Sequence, residues 1–132
     1  MASIPVGLKH EFRRRVTDEI AVDFLGLEAA RVLGTPFLIM QLEMASRNAV
    51  LPALDPGYDS VGTEVNVRHL AATPMGMEVT FRSEVISVDD RKVRFKVEAF
   101  DEKEPVADGT HERFVINVER FAKRLEQKKL GR

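Results

Sequence analysis

From Thr35 to Pro52 the chain carries apolar side chains on nearly every face of a would-be helix, and that stretch constrains the fold more than any other. Thr35 suits an N-cap and Pro36 the first helical turn, so the segment reads as a helix starting at Thr35 and running toward Pro52. A helix that is apolar all round has to be buried, so the rest of the chain must wrap it. Glu43 is a carboxylate lodged in the first part of this run, Thr35 to Ala45, which is otherwise almost wholly apolar. An unpaired carboxylate is costly to bury, so Glu43 is expected to be partnered, partly wet in a cleft, or kept for chemistry.

The wrapping material follows in order. Asp55-Pro56-Gly57 is a turn, and after Gly62 the residues Val65, Val67 and His69 share one face while Glu64, Asn66 and Arg68 share the other. Thr73 to Gly76 breaks this strand. Met77, Val79, Phe81, Ser83 and Val85 then alternate with Glu78, Thr80, Arg82 and Glu84, and a slip at Val85-Ile86 marks a bulge. Asp89-Asp90 reverses the chain into Val93, Phe95, Val97 and Ala99. A last strand runs from Val106 to Val118, with Phe114, Ile116 and Val118 on one face, and a charged helical tail begins at Glu119. Ahead of the helix, residues 8 to 24 read as a first strand leading through Gly26 into a short helical piece over Leu27 to Leu33. The class is α+β: one early buried helix whose partner is a sheet of about four later antiparallel strands. A long helix wrapped by a curved antiparallel sheet, the hotdog architecture, fits this order, and on pattern alone so does a cystatin-like or another α+β sheet.

At 132 residues the chain is expected to form one domain over residues 1–132. With 20 Lys+Arg against 21 Asp+Glu, spread along the sequence, no electrostatic case exists for nucleic acid or an anionic membrane as partner. The lack of cysteine removes disulfides, thiolate nucleophiles and Cys-based zinc sites and suits a cytoplasmic protein. No signal-peptide pattern and no apolar run of membrane-spanning length is present, so a soluble, cytoplasmic protein is expected. No metal or redox cofactor is indicated.

Thr35 and Glu43 are eight residues apart, ~12 Å along a helix, and so cannot meet within one chain. A two-fold axis between antiparallel helices would bring Thr35 of one subunit to Glu43 of the other, giving two composite sites per homodimer. His69 lies on the apolar face of its strand, where a histidine is either a satisfied core residue or, with the Glu on the facing helix, half of an acid/base pair. A helix N-terminus at Thr35 offers unpaired N–H groups that would steady an oxyanion on an ester or thioester carbonyl. Gly62 reads slightly better as strand-entry geometry than as a close approach to ligand. Residues 109 to 113 read as a solvated strand end, and Met40, Met44, Met75 and Met77 as core filler. Lys123, Arg124, Lys128 and Lys129 read as a solvated face, carrying charges that a phosphate-bearing ligand would also use.

These residues resemble the fluoroacetyl-CoA thioesterase-like family of the hotdog superfamily. The resemblance runs from about Gly34 to Phe121, through Thr35 with Glu43 eight residues on, V-G-T-E-V-N-V-R-H-L-A-A-T-P-M-G at 61–76, and G-T-H-E-R-F-V-I-N-V-E-R-F at 109–121. It implies a homodimeric hotdog fold, with tetramers open, and hydrolysis of an acyl-CoA thioester, coenzyme A entering only as part of the substrate. It assigns catalytic roles to Thr35, Glu43 and His69, places Gly62 in the site and gives Arg113 a supporting role. Where the fluoroacetyl-specific enzyme closes its pocket with phenylalanines, this chain has Glu28 to Leu33, small and aliphatic, which implies a different and larger acyl group. Two other functions fit the residues: an acyl-CoA binding protein without turnover, and a hotdog hydratase or dehydratase in which a Glu and a His move water across a double bond.

Overall fold

A computed structural model describes residues 3 to 131. The elements are strand β1 (Lys9–Arg15), the two-residue strands β2 (Ala21–Val22) and β3 (Val32–Leu33), helix α1 (Thr35–Val50), strands β4 (Tyr58–His69), β5 (Glu78–Asp89), β6 (Lys92–Phe100) and β7 (Pro105–Asn117), and helix α2 (Val118–Lys129). The main sheet is antiparallel in the order β1-β5-β6-β7-β4, and β2 pairs with β3 apart from it. Helix α1 contacts all five strands of the main sheet. Strands spaced ~4.8 Å apart make a five-stranded sheet wider than one helix, so the sheet has to curve round α1 for every strand to reach it. This is the hotdog fold.

The core lies between α1 and the sheet. Leu38, Leu42, Ala45 and Val50 meet Val79, Phe81, Val85, Val93, Phe95 and Val97, all at most 2% exposed. The alternation of β5 and β6 therefore emerges as expected, and the slip after Val85 is a register shift against β6 between Val85 and Ser87. The reversal falls at Asp90, whose φ of 55° is the left-handed region a tight turn needs.

Five expectations change. The first strand is Lys9–Arg15 alone, paired with β5, and the helical piece reduces to one 3-10 turn at Glu28–Ala30. On β7 the face turned to α1 is that of Val115, Arg113 and His111, whereas Phe114 and Ile116 point away from it, toward α2, and Val118 is already the first residue of α2. The apolar run Phe114–Val118 thus belongs to two layers. Helix α1 is not buried all round, because Met40 and Met44 are 53% and 42% exposed on the side that carries Glu43. Its N-cap is Gly34, with Thr35 as first helical residue.

Candidate active site

The N-terminus of α1 and the end of β4 meet at Thr35 and His69. Since Gly34 occupies the cap, the Thr35 hydroxyl is released from capping and hydrogen-bonds His69 Nδ1 at 2.8 Å. Burial lowers the His69 pKa, an effect the Ala71 backbone partly offsets, so the imidazole is neutral at pH 7. Its Nε2 is buried with no hydrogen-bond partner among the described residues. The pair opens into a cavity of about 330 Å³ whose other walls include Val22, Phe24, Val32 and Leu70. Gly34 permits the tight packing here, because a Cβ would lie 2.9 Å from the Phe37 ring and 3.0 Å from Val22. Phe24, outside the segment singled out in the sequence, puts an aromatic side chain on this cavity.

Glu43 belongs to a second cluster. From α1 it reaches Arg113 on β7, Oε2 to the guanidinium at 3.5 Å, with its side chain 39% exposed. It is therefore partnered and partly wet. Arg113 is almost fully buried; its Nε donates to Ser60 Oγ and another guanidinium N–H to the Ser60 carbonyl, each at 2.7 Å. Burial lowers the Arg113 pKa while Glu43 and Asp59 raise it, the balance of a buried cation with anionic neighbours. One turn on from Glu43, Arg47 grips Asp59 through two hydrogen bonds of 3.0 and 2.7 Å, which hold the Asp59 carboxyl below its usual range and fix α1 against β4.

Gly62 completes this cluster. Thr63 is the extra residue of a bulge: Gly62 pairs with Arg113 and Glu64 with Glu112. The bulge turns Gly62 onto the same face as Val65, Val67 and His69, toward α1. Its φ is ordinary, but a Cβ would lie 2.7 Å from Glu43 Oε2. Close approach, rather than strand-entry geometry, explains this glycine.

The sequence reads residues 109 to 113 as a solvated strand end, but His111, like Arg113, faces the interior. It is buried, stacks on Phe95 with centroids 5.9 Å apart, and sits between the Glu64 carbonyl at Nδ1 (2.8 Å) and Arg113 at Nε2 (3.3 Å). An arginine can only donate, so Nε2 accepts and Nδ1–H donates to Glu64, which makes the ring neutral. Burial, the largest influence, lowers its pKa in keeping with that. The signal was the period-2 link from Val115 back through Arg113 to His111.

The site residues thus fall into two groups within one chain: Thr35 with His69, and Glu43 with Gly62 and Arg113. The cavity beside Thr35 is lined by no carboxylate among the described residues.

The family model of the fluoroacetyl-CoA-specific thioesterase matches residues 16–119. The fluoroacetyl-CoA thioesterase of Streptantibioticus cattleyicolor is 41% identical over 101 residues, covering 76% of this chain and 73% of that one. A solved structure of a fluoroacetyl-CoA thioesterase superposes with a TM-score of 0.85 at 35% identity, over 96% of this chain and 98% of that one. A thioesterase superfamily member from Thermus thermophilus matches over the whole of both chains at 29% identity and a TM-score of 0.85. With the model covering most of its length, the chain belongs to the fluoroacetyl-CoA-specific thioesterase family.

Proposed function

We propose that Thr35, His69 and Glu43 carry out the hydrolysis that family membership gives this chain, that of a small or medium acyl-CoA to free acid and CoA. The observation that carries the assignment is the Thr35–His69 hydrogen bond at a helix N-terminus facing an apolar cavity. A thioester whose acyl group fills that cavity presents its carbonyl to the first N–H groups of α1. These have no intrahelical partner, and the helix dipole favours the negative charge that develops on oxygen. His69, neutral and hydrogen-bonded through Nδ1 to Thr35, is suited to move a proton toward the departing sulfur, with Thr35 orienting its ring or relaying the proton.

The missing carboxylate is supplied by a second copy. We assign a homodimer in which Glu43 of the partner subunit reaches the Thr35–His69 pocket of the other. Met40 and Met44 expose an apolar stripe beside Glu43, and β4 is an edge strand whose middle, around Val65, is open. A free edge and an apolar helix stripe on one side of a molecule are surfaces that a second copy covers. Glu43 then attacks the carbonyl or activates water against it, with Arg113 and Gly62 holding the carboxylate in place. Incorporation of heavy oxygen into Glu43 during a single turnover in labelled water would identify direct attack.

Acyl preference follows from the cavity. Beyond Thr35 and His69 its side chains are aliphatic apart from Phe24, so we favour an acyl group larger than fluoroacetyl, the substrate named for the relatives. The absence of cysteine suits a cytoplasmic enzyme. Thiol release from acetyl-, fluoroacetyl-, branched, aromatic and long-chain acyl-CoA tests the whole reading. Glu43→Ala and His69→Ala are expected to lose ~10²–10⁴-fold in turnover and Thr35→Ser far less. Wild-type rates in Glu43→Ala would remove the carboxylate from the mechanism. Acyl-CoA binding without thiol release would favour a carrier.

A further inference from the structure

A second cavity, of about 200 Å³, lies on the outer face of the sheet beneath α2, the side away from α1. Phe114, Ile116 and Phe121 line it, and Arg91, Arg120 and Arg124 stand round it. Every other arginine among the described residues has a carboxylate within 4.0 Å. Arg91, Arg120 and Arg124 make no such pair among the described residues, and these three converge on one cavity. Glu112, on the same face of β7, is committed elsewhere, to the Thr63 hydroxyl at 2.8 Å and to Arg94 at 3.2 Å.

Chance placement of unpaired arginines on a nearly neutral chain would scatter them. Three guanidiniums exceed what one carboxylate needs, and their forked donors match phosphate oxygens. The cavity is smaller than the roughly 300 Å³ at which pockets for whole ligands begin, so it holds one ring while the rest of the ligand lies at its mouth. Phe114, 38% exposed, and Phe121 offer aromatic surfaces for such a ring.

We infer that this cavity binds a phosphate-bearing nucleotide, with its base against Phe114 and Phe121 and its phosphates on Arg91, Arg120 and Arg124. Two sources have that chemistry: the nucleotide end of the acyl-CoA itself, which rests on the reading above, and a separate nucleotide, which does not. Val61 and Thr63, either side of Gly62, also line the cavity, so it backs directly onto the strand that carries the Glu43 cluster.

The test is calorimetric titration of the intact protein with adenosine 3′,5′-bisphosphate, with inorganic phosphate as the comparison. The bisphosphate is expected to bind more tightly than phosphate, more weakly as salt rises, and at least ~10-fold more weakly to Arg120→Gln/Arg124→Gln. Both side chains are exposed, so the variant's melting temperature serves as the check that it folds. Absence of binding, or binding unchanged in the variant, overturns the site whether or not the protein hydrolyses thioesters, because the titration needs no turnover. Kinetics then separate the sources. If the substrate's own end is bound, the variant raises KM for acyl-CoA about tenfold at unchanged kcat and leaves the acyl-N-acetylcysteamine thioester, which lacks the nucleotide, unaffected. A separate nucleotide leaves both KM values as they were.

Discussion

Gly62 is the residue that fixes where Glu43 can stand. A carboxylate oxygen occupies the space that any other residue's Cβ would need, 2.7 Å away, and behind it Arg113 is pinned by Ser60 through two short hydrogen bonds. Nothing in the backbone requires glycine there, since φ is ordinary, so substitution is felt by the neighbouring side chain rather than by the strand. Gly62→Ala is expected to leave the melting temperature within a few degrees of wild type, because the atom displaced ends a flexible side chain. Turnover is expected to fall at least ~10-fold, since a misplacement of about 1 Å in a reacting group costs up to about 10²-fold. Thiol-release kinetics beside thermal melts check both halves. A large loss of stability would mean that Gly62 serves the strand, and unchanged turnover would mean that Glu43 does not act from this position.

Helix and sheet are joined in the dry core by a polar link as well as by packing. Ser46 on α1 and Ser83 on β5 are both fully buried, with their hydroxyls 2.8 Å apart, and Ser46 donates its one hydrogen to the Leu42 carbonyl at 2.9 Å. Ser83 must then be the donor between them. Ser46→Ala strands the Ser83 hydroxyl without an acceptor, whereas Ser83→Ala leaves Ser46 bonded to Leu42. In urea titrations Ser46→Ala is expected to cost more than Ser83→Ala, and the double variant less than the sum, with a coupling of about 1 kcal/mol. Strict additivity would mean the two hydroxyls do not depend on each other. The strand that carries Ser83 and its neighbour were legible because period-2 alternation is strong where one face is wholly buried, as in β5 and β6. Where alternation carried less information the reading slipped. The bulge at Thr63 left no mark, since Val61 to Glu64 contains no run of apolar residues to fall out of phase. Strand β1, with its burial alternating between exposed and half-buried, shows a pattern too weak to set its ends. The Phe114 face of β7 was apolar because α2 covers it, which hid the polar inward face of His111 and Arg113. Helix spacing alone separated Thr35 from Glu43, but that His69 joins Thr35 rather than the Glu on the facing helix, and that Glu43 joins Gly62 and Arg113, needed the register of β4 and β7.

That division makes the whole molecule an argument about symmetry. A single chain holds Thr35 and His69 at one end of α1 and Glu43 two turns on, turned toward β4 and β7, so neither group completes the other. Under two-fold symmetry each site would draw Thr35 and His69 from one subunit and Glu43 from the other. Variants that are each inactive should then rescue one another. In a heterodimer of Thr35→Ala with Glu43→Ala subunits, one site receives both substitutions, and the other receives an intact Thr35 from one chain and an intact Glu43 from its partner. Equal amounts, unfolded and refolded together, give heterodimers in half of the dimers, each with one of its two sites restored. Activity is therefore expected to return to about a quarter of the wild-type value, while either variant refolded alone stays inactive. Sites built within one chain would return nothing above the two variants' own residual rates. Sedimentation at assay concentration completes the measurement, since an active species running as a monomer would defeat the shared site whatever the mixing shows.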